Sequence, residues 1–145
     1  METTKAARQE RLEDEIATLA AHLNAATARW LELVSAFDEA GGAAIDGIER
    51  WLAFRCGLST REAHEFVRVA GALHELPAIR GAFARGQLSF SKVRALTRVA
   101  TPPSEEGLLE LACALSASQL ERALRAYRRV TAEEARQSHE LEYVD

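Results

Sequence analysis

The hydrophobic positions of the first forty residues advance by steps that alternate between four and three. Leu12, Ile16, Leu19, Leu23, Ala26, Trp30, Leu33 and Phe37 are spaced 4-3-4-3-4-3-4, with charged residues such as Glu10, Arg11, Asp14 and Glu15 between them. That step keeps one side of an α-helix apolar, so it predicts a single long helix over residues 4–40. Such a stripe is either the core face of an ordinary helix or a seam for a second one. Leu12, Ile16, Leu19, Leu23 and Trp30 are therefore candidate contacts of a homodimer through residues 4–40, or of the remainder of this chain.

Further along, the periodicity shortens and is punctuated. Gly41-Gly42 closes the first helix, and Asp46 is placed to cap a second that buries Ile48, Trp51 and Leu52 and runs to Cys56. Leu-Ser then precedes a helical pattern three times, at Leu58-Ser59, Leu88-Ser89 and Leu115-Ser116, thirty and twenty-seven residues apart. Each serine can accept from an orphan backbone N–H, and Ser59 with Glu62 and Ser116 with Gln119 have the spacing of a capping box. The third helix extends from Ser59 to about Glu75. Pro77 suits the first turn of a fourth helix, which Gly86 ends, and a fifth after Ser89 must stop near Ala100, before Thr101-Pro102-Pro103. Ser104 is placed to cap a sixth, with Glu105 and Glu106 favourable to its dipole, and the seventh runs from Ser116 toward His139. The only strand-like alternation is Leu141-Glu142-Tyr143-Val144-Asp145, which reads as the first half of a strand.

The expected fold is all-α: one domain over residues 1–145, about seven helices, the long first helix lying along a bundle over residues 46–140 that contains helix-turn-helix-like units. Composition agrees, with only three prolines in 145 residues and no β-branched runs. No stretch is apolar enough to cross a bilayer, and Met1-Glu2-Thr3-Thr4 lacks the character of a secretory signal. Cys56 and Cys113 form no framework and are expected to be buried free thiols of a cytoplasmic protein.

Charge changes the picture. The net charge is −4, but residues 1–49 hold four cations and ten anions, whereas residues 50–130 hold thirteen cations and seven anions. From Leu76 to Ser104 there is no acid at all, while Arg80, Arg85, Lys92, Arg94 and Arg98 all fall there. An acidic chain with a basic middle suits local binding of a polyanion.

Three segments could carry that chemistry. In Ala53-Phe54-Arg55-Cys56-Gly57-Leu58-Ser59 a small residue lets two helices cross, a glycine turns the chain and Leu58 plugs the gap, as in a helix-turn-helix. The following helix would present Thr60, Arg61, His64, Glu65 and Arg68 outward, with Ala63, Phe66, Val67 and Ala70 inward. Glu62 and Glu65 oppose a deep groove fit, since each repels phosphate. Lys92, Arg94 and Arg98, with Arg85 nearby, form a second candidate phosphate patch, or a solvated face paired with acids of the first helix. Arg122, Arg125, Arg128 and Arg129 form a ridge at helical spacing, better read as solvated charge supported by Glu121 and Glu133. The candidate DNA contacts are therefore Arg61, His64, Arg68, Lys92, Arg94, Arg98, Arg122 and Arg125. Catalysis, metal and cofactors find no support. His22, His64, His74 and His139 are far apart, no histidine has metal-ligand spacing to a cysteine, and there is no phosphate loop or nucleophile elbow.

Trp51-Leu52-Ala53, Gly57-Leu58-Ser59, Ala63, Val67-Arg68, Ala70, Leu73, Leu76-Pro77, Gly86, Leu88-Ser89, Lys92-Val93-Arg94 and Gln119-Leu120-Glu121 occur in succession. Together they resemble the actinobacterial 13E12 repeat family, whose shared N-terminal part is domain of unknown function 222. In that family the helical region commonly precedes an HNH nuclease module. The resemblance covers roughly residues 30–140 and implies a truncated or excised N-terminal portion with no catalytic residues of its own. The expected function is a non-catalytic module that binds DNA or positions an HNH-type nuclease on it. The alternative is a protein-interaction or dimerisation module acting through the first helix.

Overall fold

The computed structural model describes residues 2–43 and 45–143, and among them every regular element is helical. Seven helices follow in order: α1 (Glu2–Glu39), α2 (Ile48–Cys56), α3 (Thr60–Leu73), α4 (Pro77–Ala84), α5 (Phe90–Leu96), α6 (Glu105–Ala114) and α7 (Ala117–Tyr143). The C-terminal half of α1 packs on α3 and α4, α2 lies against α3, and α5 bridges α6 and α7. Helices as short as α4 and α5 have no independent stability in water, so their geometry comes from a shared core.

That core centres on α4. Phe83, Ile79 and Ala82 are fully enclosed, surrounded by Leu31 of α1, Val69 of α3, Val93 and Leu96 of α5, and Leu120 of α7. A smaller cluster of Val34, Leu52 and Ala63 joins α2 to α1 and α3. Trp30 borders both clusters and meets Phe66 edge-on at 4.9 Å, and Phe66 lies 4.4 Å from Phe90. This aromatic column ties α1, α3 and α5 together, a geometry that adds to simple area burial.

The serine caps form as expected. Ser59 Oγ accepts from Glu62 N while Glu62 returns the bond to Ser59 N, Ser116 and Gln119 do the same, and Ser89 Oγ accepts from Lys92 N. Two other cap expectations are corrected. Helix α2 starts after Gly47, at φ 83°, so Asp46 lies outside it and no side chain caps it. Ser104 has a helical backbone, and its hydroxyl serves Thr101 N at 2.9 Å instead of α6.

Glu105 lies in the first turn of α6, as expected, but is buried there, and its Oε1 accepts from Ile79 N at 2.8 Å, across the interface between α6 and α4. Leu76, at the start of α4, has no side-chain acceptor to offer, so the carboxylate comes from a distant helix. The cysteines are both exposed and free. Cys113 falls beside the Glu105–Leu108–Ala112 stripe that α6 buries, and Cys56 ends α2 where the chain turns away. The final segment is not a strand, because α7 continues through Leu141 to Tyr143; Val144 and Asp145 lie outside the described residues.

Of the two readings of the α1 stripe, the core face of an ordinary helix is the one that gives way. The residues α1 buries are Ala28, Leu31 and Val34, one position round from the predicted seam. Leu12, Ile16, Leu19, Leu23 and Leu33 remain 45%, 69%, 60%, 62% and 51% exposed. Of the five candidate contacts only Trp30 turns into the core.

Gly86 fixes how α1 meets the turn between α4 and α5. It has φ 79°, and a Cβ placed there would lie 2.4 Å from the carbonyl oxygen of Ala21. Gly86→Ala should therefore destabilise the fold by about 2 kcal/mol or more in chemical denaturation. Gly71→Ala, where a Cβ meets nothing within 4 Å on a helix, should stabilise it by roughly 0.5–1 kcal/mol. Replacing Glu105 with alanine leaves the Ile79 N–H buried without an acceptor. The expected loss is about 1–3 kcal/mol, read as a lower denaturant midpoint at unchanged slope.

Candidate nucleic-acid interface

Cations in a helical fold have two sinks besides solvent, carboxylates and the unsatisfied carbonyls at helix C-termini. The structure uses both. Arg68 donates from Nε to Glu65 at 2.9 Å and from Nη2 to the carbonyl of Arg94 at 3.1 Å, near the end of α5. Lys92 donates from Nζ to the carbonyl of Ala112 at 2.7 Å, in the last turn of α6. Arg80 reaches the carbonyls of Leu73 and His74, both at 3.4 Å, at the end of α3. Three basic side chains thus close three helix ends. Within the acid-free stretch, Arg80 and Lys92 meet backbone oxygen in place of carboxylates.

Glu65 is the hinge of the arrangement. Its carboxylate, only 17% exposed, binds Arg68 within α3 and receives Arg98 Nη2 at 2.5 Å from beyond α5. The hydrogen bond from Arg68 is the main cause that holds its pKa down, at about 2 against an ordinary 4.5; burial opposes this, and the bond from Arg98 adds to the lowering. Arg68 also reaches Thr97 Oγ1 at 3.3 Å. The carboxylate expected to face outward and repel phosphate is therefore neutralised inside a clamp between α3 and α5.

The expected DNA contacts consequently separate into two groups. Arg68 and Lys92 are partly buried and committed to internal bonds, and His64 Nδ1 sits 3.0 Å from Glu49 of α2. Arg98 is half exposed but held by Glu65. Arg61, Arg94, Arg122 and Arg125 are exposed. Among the described residues no carboxylate lies within 4.0 Å of any of these four.

The free arginines are brought together by α5 packing on α7. Arg94, Arg98, Arg125 and Arg128 line one depression of about 290 Å³, floored by Ala95, Val99 and Leu124, with Glu121 its single acid. Arg125 and Arg128 continue along α7 into an open groove with Arg122 and Arg129. On its other side Arg94 shares a second depression with Arg61, bounded by Phe66, Phe90, Glu62 and Glu65. The result is a strip running from the start of α3, over α5, and along α7. Arg128 and Arg129 belong to it, although ridge spacing alone reads as solvated charge. Only the contact between α5 and α7 reveals that the ridge faces Arg94.

Helices α2 and α3 pack on each other across the turn at Gly57, which adopts the left-handed conformation at φ 68° and ψ 31°. Yet α3 is embedded against α1, α2, α4 and α5, and leaves in solvent only Thr60, Arg61, Glu62 and His64 at its start and Gly71 near its end. Among the described residues no three of His, Cys, Asp or Glu come together as metal ligands would, and no helix is long and apolar enough to cross a membrane. Comparison with protein-family models, with curated proteins and with solved structures finds no match for the chain. The resemblance to the 13E12 repeat family therefore rests on the sequence positions quoted above.

Because the clamp lowers the pKa of Glu65, it stabilises the folded state fully above the ordinary value of 4.5 and loses that contribution as pH falls toward 2. Glu65→Gln should cost about 1–3 kcal/mol at neutral pH. Thermal melts should show the gap between variant and wild type closing as pH falls through that interval.

Proposed function

We propose that this chain is a non-catalytic module that binds duplex DNA through the arginine strip of α5 and α7. The observation that carries the reading is the convergence of Arg94, Arg125 and Arg128, none paired with a carboxylate, around one depression on the molecule. Arginine suits phosphate because its planar fork donates two parallel hydrogen bonds to one oxyanion. Arg122 and Arg129 extend the cluster along α7 beyond that depression, so the cations reach further than one small anion needs, as a polyanion requires. The resemblance to the 13E12 repeat family supports the same reading, since there the helical region precedes a module that cuts DNA. In that setting the strip would hold duplex for a neighbouring HNH-type nuclease.

The mode of contact differs from groove reading by a recognition helix. Helix α3 offers Arg61 and His64 at its first turn, too little for a base-reading face, so binding is carried by phosphates and is sequence-tolerant. Affinity for a labelled duplex should fall steeply as salt rises. Arg94→Ala and Arg125→Ala should each reduce the slope of log K against log salt by about 1. Lys92→Ala should lower thermal stability and leave that slope unchanged, because its ammonium is spent on the end of α6. Absence of any duplex shift at low salt, or slopes equal in wild type and both arginine variants, would falsify the proposal.

A further inference from the structure

The N-terminal half of α1 is a helix without a fold to rest on. From Glu2 to Ala20 every residue is exposed, and contact with the bundle begins at Ala21, under Gly86. At 1.5 Å per residue this arm stands about 28 Å beyond the bundle. Solitary helices of that length are marginal in water, because most helical stability in proteins comes from packing an apolar face. The arm has such a face, formed by Leu12, Ile16 and Leu19 and continued by Leu23 just past Ala21, all exposed. The core takes the neighbouring face of α1, so this part of the stripe is left over, and it ends where Trp30 turns into the core.

From the stripe and the charges beside it we infer that the chain self-associates as a parallel, in-register coiled coil through the α1 arm. In heptad terms Ile16 and Leu23 occupy a positions and Leu12 and Leu19 occupy d positions; the central layer, Ile16 at a between two d leucines, is the combination of two-stranded parallel coils. The flanking positions fix the partner. Arg8 precedes the seam as a g residue and Glu13 follows it as an e residue, five positions later. In a parallel pair these meet across the interface twice, once on each side. Neither has an ion-pair partner in its own chain among the described residues.

Antiparallel pairings are less favourable. The register that sets Leu12 against Ile16 also places Glu13 against Glu13 and Glu15 against Glu15. The register that sets Leu12 against Leu23 places Arg8 against Arg29. A second copy is thus the occupant whose charges the arm complements, and parallel is the orientation that does so. This inference stands independently of DNA binding, since the arm and the arginine strip share no residue.

Sedimentation equilibrium of the full chain should show a dimer. Leu19→Asp should give a monomer whose bundle still melts cooperatively, because Leu19 touches no core. Arg8→Glu should weaken the dimer severalfold, and Arg8→Glu combined with Glu13→Arg should restore it. Orientation is read by oxidation of Leu23→Cys in a Cys56→Ser, Cys113→Ser background. Parallel chains bring the two position-23 thiols together, whereas either antiparallel register holds them about 16 Å or more apart. Wild type that remains monomeric throughout the micromolar range, or that pairs with something other than itself, overturns self-association. A dimer that does not cross-link at position 23 overturns the parallel arrangement.

Discussion

A single carboxylate decides how the cations of this molecule are shared between structure and surface. Glu65 engages Arg68 and Arg98 together, and Arg68 in turn closes the end of α5 through the carbonyl of Arg94. Helix α5 has only seven residues, too few to hold a shape alone. Its placement depends on this clamp, on Phe90 against Phe66, and on the burial of Val93 and Leu96. With α5 so fixed, the Arg94 side chain is left outside the clamp and faces α7. The basic strip is therefore a consequence of an acid, because without Glu65 the arginines of α3 and α5 would repel each other where the helices join.

The same economy governs the helix termini. Short helices expose a large share of unsatisfied backbone groups, and this fold has several such helices close together. Serines serve the starts of α3, α5 and α7, Glu105 serves the start of α4 from a distance, and Arg68, Arg80 and Lys92 serve three ends. Donors and acceptors are matched by charge to the helix dipole, positive side chains at the ends and a carboxylate at a start. A chain segment rich in cations and devoid of acids is thus first a structural device. Its surplus, after the ends are closed, includes the exposed Arg94 of the strip.

Two helices exceed what the bundle can cover. Beyond Leu124, α7 is exposed through Leu141, and α1 is exposed from Glu2 to Ala20. Their free faces differ in kind. The part of α7 that meets α5 carries arginines and little apolar surface, which suits a charged ligand. The arm of α1 carries Leu12, Ile16 and Leu19 in a line that Leu23 continues, which suits another helix. One molecule therefore presents a polar strip and an apolar seam on separate elements.

Local chemistry already determined a good deal in the sequence. The helical class, the order of seven helices, the serine caps and the turns at Gly57 and Gly86 follow from signals within a few residues, and hydrogen bonds of that range do not need a fold to specify them. The heptad stripe was equally legible, but whether it was core or seam was not, because Ala28, Leu31 and Val34 form an adjacent stripe of similar apolarity. Only packing against α3 and α4 chose between the two faces. Likewise no spacing reveals that Lys92 meets Ala112, that Glu105 meets Ile79 N, or that Arg94 faces Arg125, since each pair is joined through space by helices distant along the chain. A charge is visible in a sequence, but its partner is decided by where the chain returns.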